Sequence, residues 1–88
     1  MNLKMTNKAH KSLGNLDAKQ FRQVVLAILN LTQNPHPHDS IKLHGATNGE
    51  RRQDVGEYRI VYSHDVDTVE ILLVGKRNDD EVYRRLRR

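Results

Sequence analysis

The 88-residue sequence contains no cysteine and no tryptophan. Without cysteine, neither disulfide bonds nor thiolate metal sites can stabilise the fold. No apolar run approaches the roughly 18 residues that a membrane-spanning helix needs, and the first residues lack the long apolar segment of a signal peptide. We therefore expect a cytoplasmic protein that has no membrane partner.

Hydrophobic residues are also scarce, at 36% of the chain, whereas charged residues make up 30%. The apolar residues are nevertheless patterned, which is typical of a folded domain and not of a disordered tail. At this size folding buries only about 60–65% of the surface of the unfolded chain, so the core must be thin. We expect one domain over residues 1–88.

Arginine is the residue type that the second half of the chain has in excess. The formal net charge is +4, and eight of the nine arginines lie after residue 50. Arginine carries a planar fork of donors that matches phosphate oxygens, and it stays charged at every working pH. The clustering of these arginines indicates a surface that binds a polyanion such as nucleic acid.

The first part of the chain predicts a short strand followed by two helices. Residues 2–5 form the strand, and Thr6 is the expected N-cap of a helix that ends at Gly14-Asn15. Asp17 caps the second helix, with Gln20 completing a capping box. Apolar residues then recur at helical spacing and form one stripe, which consists of Phe21, Val24, Val25, Ile28 and Leu29. The proline-rich segment 34–39 ends this helix.

From about residue 50 the period of the apolar pattern changes to two, which predicts strands. A first strand covers about 51–55, and Gly56 marks the turn to the next strand. There Tyr58, Ile60 and Tyr62 share one face, and Val61 lies on the other face beside Arg59. Residues 63–68 predict a hairpin connection. The partner strand places Val69, Ile71 and Leu73 on one face and Leu72 and Val74 on the other, which is typical of a strand inside a sheet.

Asn78 and Glu81 form another capping box, which predicts a final helix whose Val82 and Leu86 face the core. The expected fold class is therefore α+β. Two N-terminal helices pack on an antiparallel β-sheet, which is made of the short N-terminal strand and a C-terminal meander, and a short C-terminal helix follows.

Four motifs resemble those of the RelE/ParE toxin superfamily. They are KLHG at 42–45, VGEYRIVY at 55–62, VGKR at 74–77 and EVY at 81–83. The resemblance covers nearly the whole chain, because the helix pair, the proline-rich break and the strand order also fit. It implies a RelE-like toxin of a type II toxin–antitoxin system, which cleaves messenger RNA in the ribosomal A site. Its implied partners are a cognate antitoxin, messenger RNA and the ribosome.

Such a nuclease needs no metal or other cofactor, because the ribose 2′-hydroxyl attacks the adjacent phosphate. The reaction is helped by a base, by cations that stabilise the phosphorane, and by an acid for the leaving oxygen. By motif position, the resemblance implies that Arg59 and Arg77 stabilise the phosphate and that Tyr83 stacks on a base or assists proton transfer. Arg52 matches a basic position on the preceding strand.

Further basic residues are expected to contact RNA, since phosphate contacts dominate such affinity. They are Arg51, Lys76, Arg84, Arg85, Arg87 and Arg88. The four terminal arginines also have a structural explanation, because positive charges at the end of the last helix complement its dipole.

The sequence departs from the family pattern on the strand before Arg59. Many relatives carry two alternating basic residues there, whereas this chain has Asp54 at the second position. This aspartate either pairs with Arg52 or Arg59 and orients it, or repels the phosphate. Because no lysine remains as a proton acceptor, His44 is the possible base.

Two histidines flank Pro37 in the proline-rich segment, and they superficially suggest a metal site. His36 and His38 have no third ligand nearby in the sequence, so a solvated loop is the better interpretation and no metal is expected.

Two other functions stay open. One is inhibition of DNA gyrase without cleavage, as in ParE-type toxins, which share the fold. The other is a toxin-like domain that has lost its activity, for which Asp54 is the main argument. The retained arginines and Tyr83 favour the nuclease, because a gyrase inhibitor has no need of groups that stabilise a phosphorane.

Overall fold

The computed structural model describes residues 1–45 and 48–77. Within them the chain forms five strands and two helices: β1 (Asn2–Met5), α1 (Asn7–Gly14), α2 (Ala18–Gln33), β2 (Ser40–Lys42), β3 (Arg51–Val55), β4 (Tyr58–His64) and β5 (Thr68–Lys76). The strands make one sheet in the order β1-β5-β4-β3-β2. The α+β prediction is confirmed, whereas β2 was not predicted. The final helix predicted from Asn78 onward lies outside the described residues.

The prediction of a wholly antiparallel sheet is wrong for β1. This strand runs parallel to β5, with Asn2 opposite Thr68 and Met5 opposite Ile71, so the sheet is mixed. The chain leaves β1, passes through both helices and enters the sheet again at the opposite edge, in β2. The backbone N–H of Thr6 extends the pairing by donating to the carbonyl of Ile71.

A β-bulge at Leu72 changes which side chains of β5 share a face. Ile71 pairs with Tyr62 and Leu73 pairs with Val61, so Leu72 has no partner on β4. One extra residue on a strand reverses the alternation beyond it. The prediction that Leu73 shares a face with Val69 and Ile71 is therefore wrong. Val74 joins their cluster, and Leu73 lies on the other face.

The main core lies between the helices and one face of the sheet. Val24, Ile28 and Leu31 of α2 pack with Ile60 and Tyr62 of β4 in this cluster. The predicted apolar stripe of α2 is buried only along its centre, because Phe21 and Leu29 are exposed and Val25 is half-buried. Leu31, which the stripe did not include, is fully buried.

The predicted helix caps form. The hydroxyl of Thr6 accepts a hydrogen bond from the backbone N–H of Ala9 at 3.1 Å, and Asp17 Oδ1 accepts one from the N–H of Gln20 at 2.9 Å. Of the capping box predicted for Asp17 and Gln20, the structure contains the bond to Asp17, whereas the Gln20 side chain contacts the sheet, since its Oε1 accepts a bond from the hydroxyl of Tyr58. This contact ties the start of α2 to β4.

No helix within residues 1–45 and 48–77 is long and apolar enough to cross a membrane.

Candidate functional site

The candidate site lies on the face of the sheet opposite the main core, which we call the far face. Val61 defines this face, because it packs with Leu43 and Leu73 in a second apolar cluster that is separate from the helices. Residues directly opposite each other on paired strands share a face. Arg52 is opposite Val61 and Asp54 is opposite Arg59. The far face therefore carries two of the predicted catalytic arginines together with the unusual aspartate.

Asp54 and Arg59 form a two-donor ion pair. Arg59 Nε donates to Asp54 Oδ1 at 2.7 Å, and Arg59 Nη2 donates to Asp54 Oδ2 at 3.3 Å. Arg52 Nη1 lies 3.6 Å from the same Oδ1. The side chain of Arg59 is only 12% exposed, that of Arg52 is 25% exposed and that of Asp54 is 35% exposed. Asp54 thus makes both of the expected ion pairs, and its contact with Arg59 is shorter than its contact with Arg52.

The electrostatics of Asp54 reflect these neighbours. The hydrogen bond from Arg59 is the main cause that holds the pKa of Asp54 below its ordinary value, while partial burial opposes it. The charges of Arg59, Arg52 and Arg77 lower the pKa further. At neutral pH Asp54 is therefore an ionised carboxylate that is paired with Arg59 and Arg52.

Arg77 follows β5 and is tied to the turn between β3 and β4. Its backbone N–H donates to the carbonyl of Glu57, and its Nη1 donates to the carbonyl of Gly56 at 3.3 Å. A pocket of about 300 Å³ lies here, and it is lined by Gly56, Glu57, Lys76 and Arg77. Next to it in the sheet, Gly75 pairs with Arg59 and brings no side chain to that position. The charge of Arg77 therefore reaches Asp54 and lowers its pKa, whereas the role of Arg77 at a phosphate stays a prediction.

Arg51 has a different environment from its neighbour Arg52. It pairs with Tyr62, so it lies on the face of the sheet that bears the helices. Its Nε and Nη2 donate to the hydroxyl of Ser40, and Nη2 also donates to the Ser40 carbonyl at 3.1 Å. These bonds fix β2 against β3. RNA binding by Arg51 stays a prediction. The buried Ser40 gave no signal in the sequence.

The remaining predicted residues are less constrained. Lys76 is exposed at the end of β5, and His44 is exposed in the turn after Leu43. Since Leu43 packs on the far face, this turn begins at that side of the sheet. The other predicted residues lie outside the described segments: Tyr83, Arg84, Arg85, Arg87 and Arg88.

The two histidines of the proline-rich segment, His36 and His38, are both exposed. His36 contacts His64, with 2.6 Å between the two Nε2 atoms. Among residues 1–45 and 48–77, no three His, Asp or Glu side chains form a cluster that fits a metal ion.

Within the described residues the chain is a small α+β domain in which two helices pack on a mixed five-stranded sheet. The sequence model of the ParE toxin of type II toxin–antitoxin systems matches residues 3–81. The chain belongs to this family, within the RelE/ParE superfamily. It is a type II toxin–antitoxin toxin.

Solved structures agree with this assignment. The archaeal RelE–RelB complex from Pyrococcus horikoshii is 27% identical with a TM-score of 0.75, and the match covers 86% of this chain and 93% of that one. The RelBE2 toxin–antitoxin complex from Mycobacterium tuberculosis is 26% identical with a TM-score of 0.74, covering 86% and 96%. Isolated Escherichia coli RelE shares the fold, at 24% identity and a TM-score of 0.73, covering 97% and 93%. A search of curated protein sequences gave no significant match.

Proposed function

We propose that this toxin is a metal-independent endoribonuclease that cleaves messenger RNA in the ribosomal A site in the cytoplasm and so inhibits translation. The observation that supports the proposal is that Arg59 and Arg52 contact one anionic group, the carboxylate of Asp54, and that Arg77 lies close enough for its charge to lower the pKa of that carboxyl. A place where three guanidinium groups stabilise one anion is suited to the phosphate of an RNA strand.

In the proposed reaction the ribose 2′-hydroxyl attacks the adjacent phosphorus and the bond to the 5′-oxygen of the next nucleotide breaks. The products are a 2′,3′-cyclic phosphate and a 5′-hydroxyl. The negative charge increases on the way to the phosphorane, so cations placed around it stabilise the transition state more than the ground state. Arg59 and Arg77 have this role in the proposal, and Arg52 adds a third charge. Tyr83 and His44 are proposed to assist proton transfer.

The partner in the proposal is a cognate antitoxin that covers the far face and neutralises its arginines. The similar structures from Pyrococcus horikoshii and Mycobacterium tuberculosis are complexes of a toxin with an antitoxin. A protein encoded next to this toxin should bind it and restore growth. If no neighbouring small reading frame encodes a binding protein, this part of the proposal is wrong.

The decisive experiment is to induce the toxin in bacteria and to map messenger 5′ ends by primer extension. We expect new in-frame cleavages that disappear in Arg77→Ala. Arg22→Ala is the matched control, because Arg22 is an exposed arginine of α2 on the other side of the sheet. It should cleave as the unmodified protein does. Growth arrest without cleavage would contradict the proposal.

Inhibition of DNA gyrase is the second candidate function. Two observations favour it: the match to the ParE family model, and the presence of Asp54, whose negative charge partly neutralises the arginine cluster. This function predicts growth arrest with a DNA-damage response and no new messenger 5′ ends. If neither effect occurs, the protein is an inactive relative.

A further inference from the structure

Asp54 contacts Arg59 at a place that affects how strongly the arginines of the far face bind RNA, and this inference rests on the proposed function. The carboxylate of Asp54 contacts Arg59 through Nε and Nη2, one edge of the guanidinium. Phosphate groups bind arginine through the same kind of two-donor contact. Asp54 therefore occupies a position on Arg59 that a phosphate oxygen would take.

We propose that Asp54 is an internal competitor of the RNA phosphate at Arg59, and that it sets the affinity of this toxin for RNA.

The pairing of β3 with β4 holds the carboxylate of Asp54 beside Arg59. Asp54 and Arg59 are directly opposite each other on β3 and β4, so their side chains meet without any rearrangement of the chain. Arg52 on the same strand adds a second contact to Asp54 Oδ1 at 3.6 Å. An RNA phosphate must displace this carboxylate from Arg59 or bind beside it, and in either case it meets a negative charge.

The opposite role, in which Asp54 helps by orienting Arg59, is weaker on electrostatic grounds. An orienting carboxylate works best when it binds a part of the arginine that the substrate does not need, whereas Asp54 takes a two-donor edge. Two anions a few ångströms apart repel each other strongly unless solvent screens them. Asp54 is about one-third exposed, so screening reduces the repulsion without removing it. We expect an effect on binding of about 5- to 30-fold.

The test compares Asp54→Asn with the unmodified toxin in binding a fluorescent single-stranded RNA. Its 2′-positions are O-methylated, which removes the nucleophile and prevents cleavage, and the proteins are made by cell-free synthesis. Asparagine keeps the shape of the side chain and removes its charge. The dissociation constant should decrease about 5- to 30-fold in Asp54→Asn.

Asp67→Asn is the matched control, because Asp67 is exposed in the hairpin between β4 and β5, at the opposite end of β4 from Arg59, and its substitution removes the same charge. It should change the dissociation constant less than about threefold. The double variant Asp54→Asn/Arg59→Ala should lose the gain, because the competition takes place at Arg59. Asp54→Thr, which suits a strand, serves as a second charge-free variant in case the asparagine variant does not fold.

Unchanged or weaker RNA binding in both charge-free variants would overturn the inference, and weaker binding would assign Asp54 the orienting role.

For the case in which no variant binds RNA measurably, sulfate is titrated while the NMR signal of Arg59 Nε–H is followed. The charge-free variants should then bind sulfate more tightly, and equal affinity would overturn the inference. Cleavage is assayed separately. If the charge-free variants bind RNA more tightly but no variant cleaves it, the inference holds and the nuclease proposal is wrong. If the toxin cleaves RNA but the charge-free variants bind it no more tightly, the nuclease proposal holds and the inference is wrong.

Discussion

The hydroxyl of Thr6 donates a 2.7 Å hydrogen bond to the carbonyl of Leu72, 66 residues later in the chain. Leu72 is the bulged residue of β5, so its carbonyl is at the place where the pairing with β4 is interrupted. The same hydroxyl accepts the bond from Ala9 N–H that caps α1. One side chain thus starts the first helix and satisfies the irregular point of the sheet.

Replacing Thr6 by Val should lower the free energy of unfolding by about 2 kcal/mol. The substitution keeps the branched shape but removes the cap and the bond to Leu72, and each contributes on the order of 1 kcal/mol. Urea denaturation followed by circular dichroism measures the change. Thr32→Val is the control, because within residues 1–45 and 48–77 the Thr32 hydroxyl bonds only to the carbonyl of Leu29 in its own helix. A change of similar size in both variants would show that the contact to Leu72 is unimportant.

Tyr62→Phe should destabilise the fold by about 1 kcal/mol. Tyr62 is fully buried, and its hydroxyl donates to the carbonyl of Pro35 at 2.7 Å, which holds the proline-rich segment against the core. The phenylalanine leaves this carbonyl without its donor. Tyr58→Phe is the comparison, since the Tyr58 hydroxyl bonds to Gln20 at 3.1 Å and Tyr58 is only half-buried. Thermal unfolding of both variants should rank Tyr62→Phe as the more damaging, and the reverse order would contradict this account.

Arg59→Lys should reduce the rate of RNA cleavage by about 10²-fold or more if the proposed nuclease is correct. Lysine keeps the charge but cannot make the two-donor contact with a phosphate, so most of the stabilisation of the phosphorane should be lost. Rates are measured on programmed ribosomes with saturating toxin. Arg22→Lys, on the exposed surface of α2, should keep the full rate. Full activity in Arg59→Lys would remove Arg59 from the site.

Stability should decrease as the pH falls through the ordinary histidine range, because of His36. Desolvation is the main cause that lowers the pKa of His36, followed by the nearby charges of Arg51 and His64. A histidine whose pKa is lower in the folded state binds a proton more readily when unfolded, so protonation near pH ~6.5 and below favours unfolding. The pKa values of Asp54 and Asp65 are also lowered in the folded state. Protonation of these carboxylates therefore also favours unfolding, but only below about pH 4.

Urea denaturation between about pH 5 and 8 tests this dependence. His36→Gln should flatten the loss of stability on acidification, whereas His10→Gln should retain it, because His10 is exposed on α1. An unchanged slope in His36→Gln would assign the pH dependence to other groups.

The sequence by itself determined the features that depend on neighbours a few residues apart. Thr6 and Asp17 start helices because their side-chain oxygens reach backbone N–H groups three residues later. The alternation at Tyr58, Ile60 and Tyr62 similarly fixed which face of β4 packs against the helices. The motif that carries Arg59 resembles the RelE/ParE superfamily, and the family match bears out this resemblance.

Tertiary structure decided what depends on pairing between distant segments. The parallel direction of β1, the strand β2 and the bulge at Leu72 arise from contacts whose partners are far apart in the chain, for which the local pattern contains no signal. The same holds for charge partners. The sequence left Asp54 with two candidate arginines, and it assigned both adjacent arginines to one RNA-binding surface, with Arg52 as a catalytic residue and Arg51 as a further RNA contact. Strand register placed Asp54 against Arg59, and it placed the two adjacent arginines on opposite faces, because successive side chains of a strand point to opposite sides of the sheet.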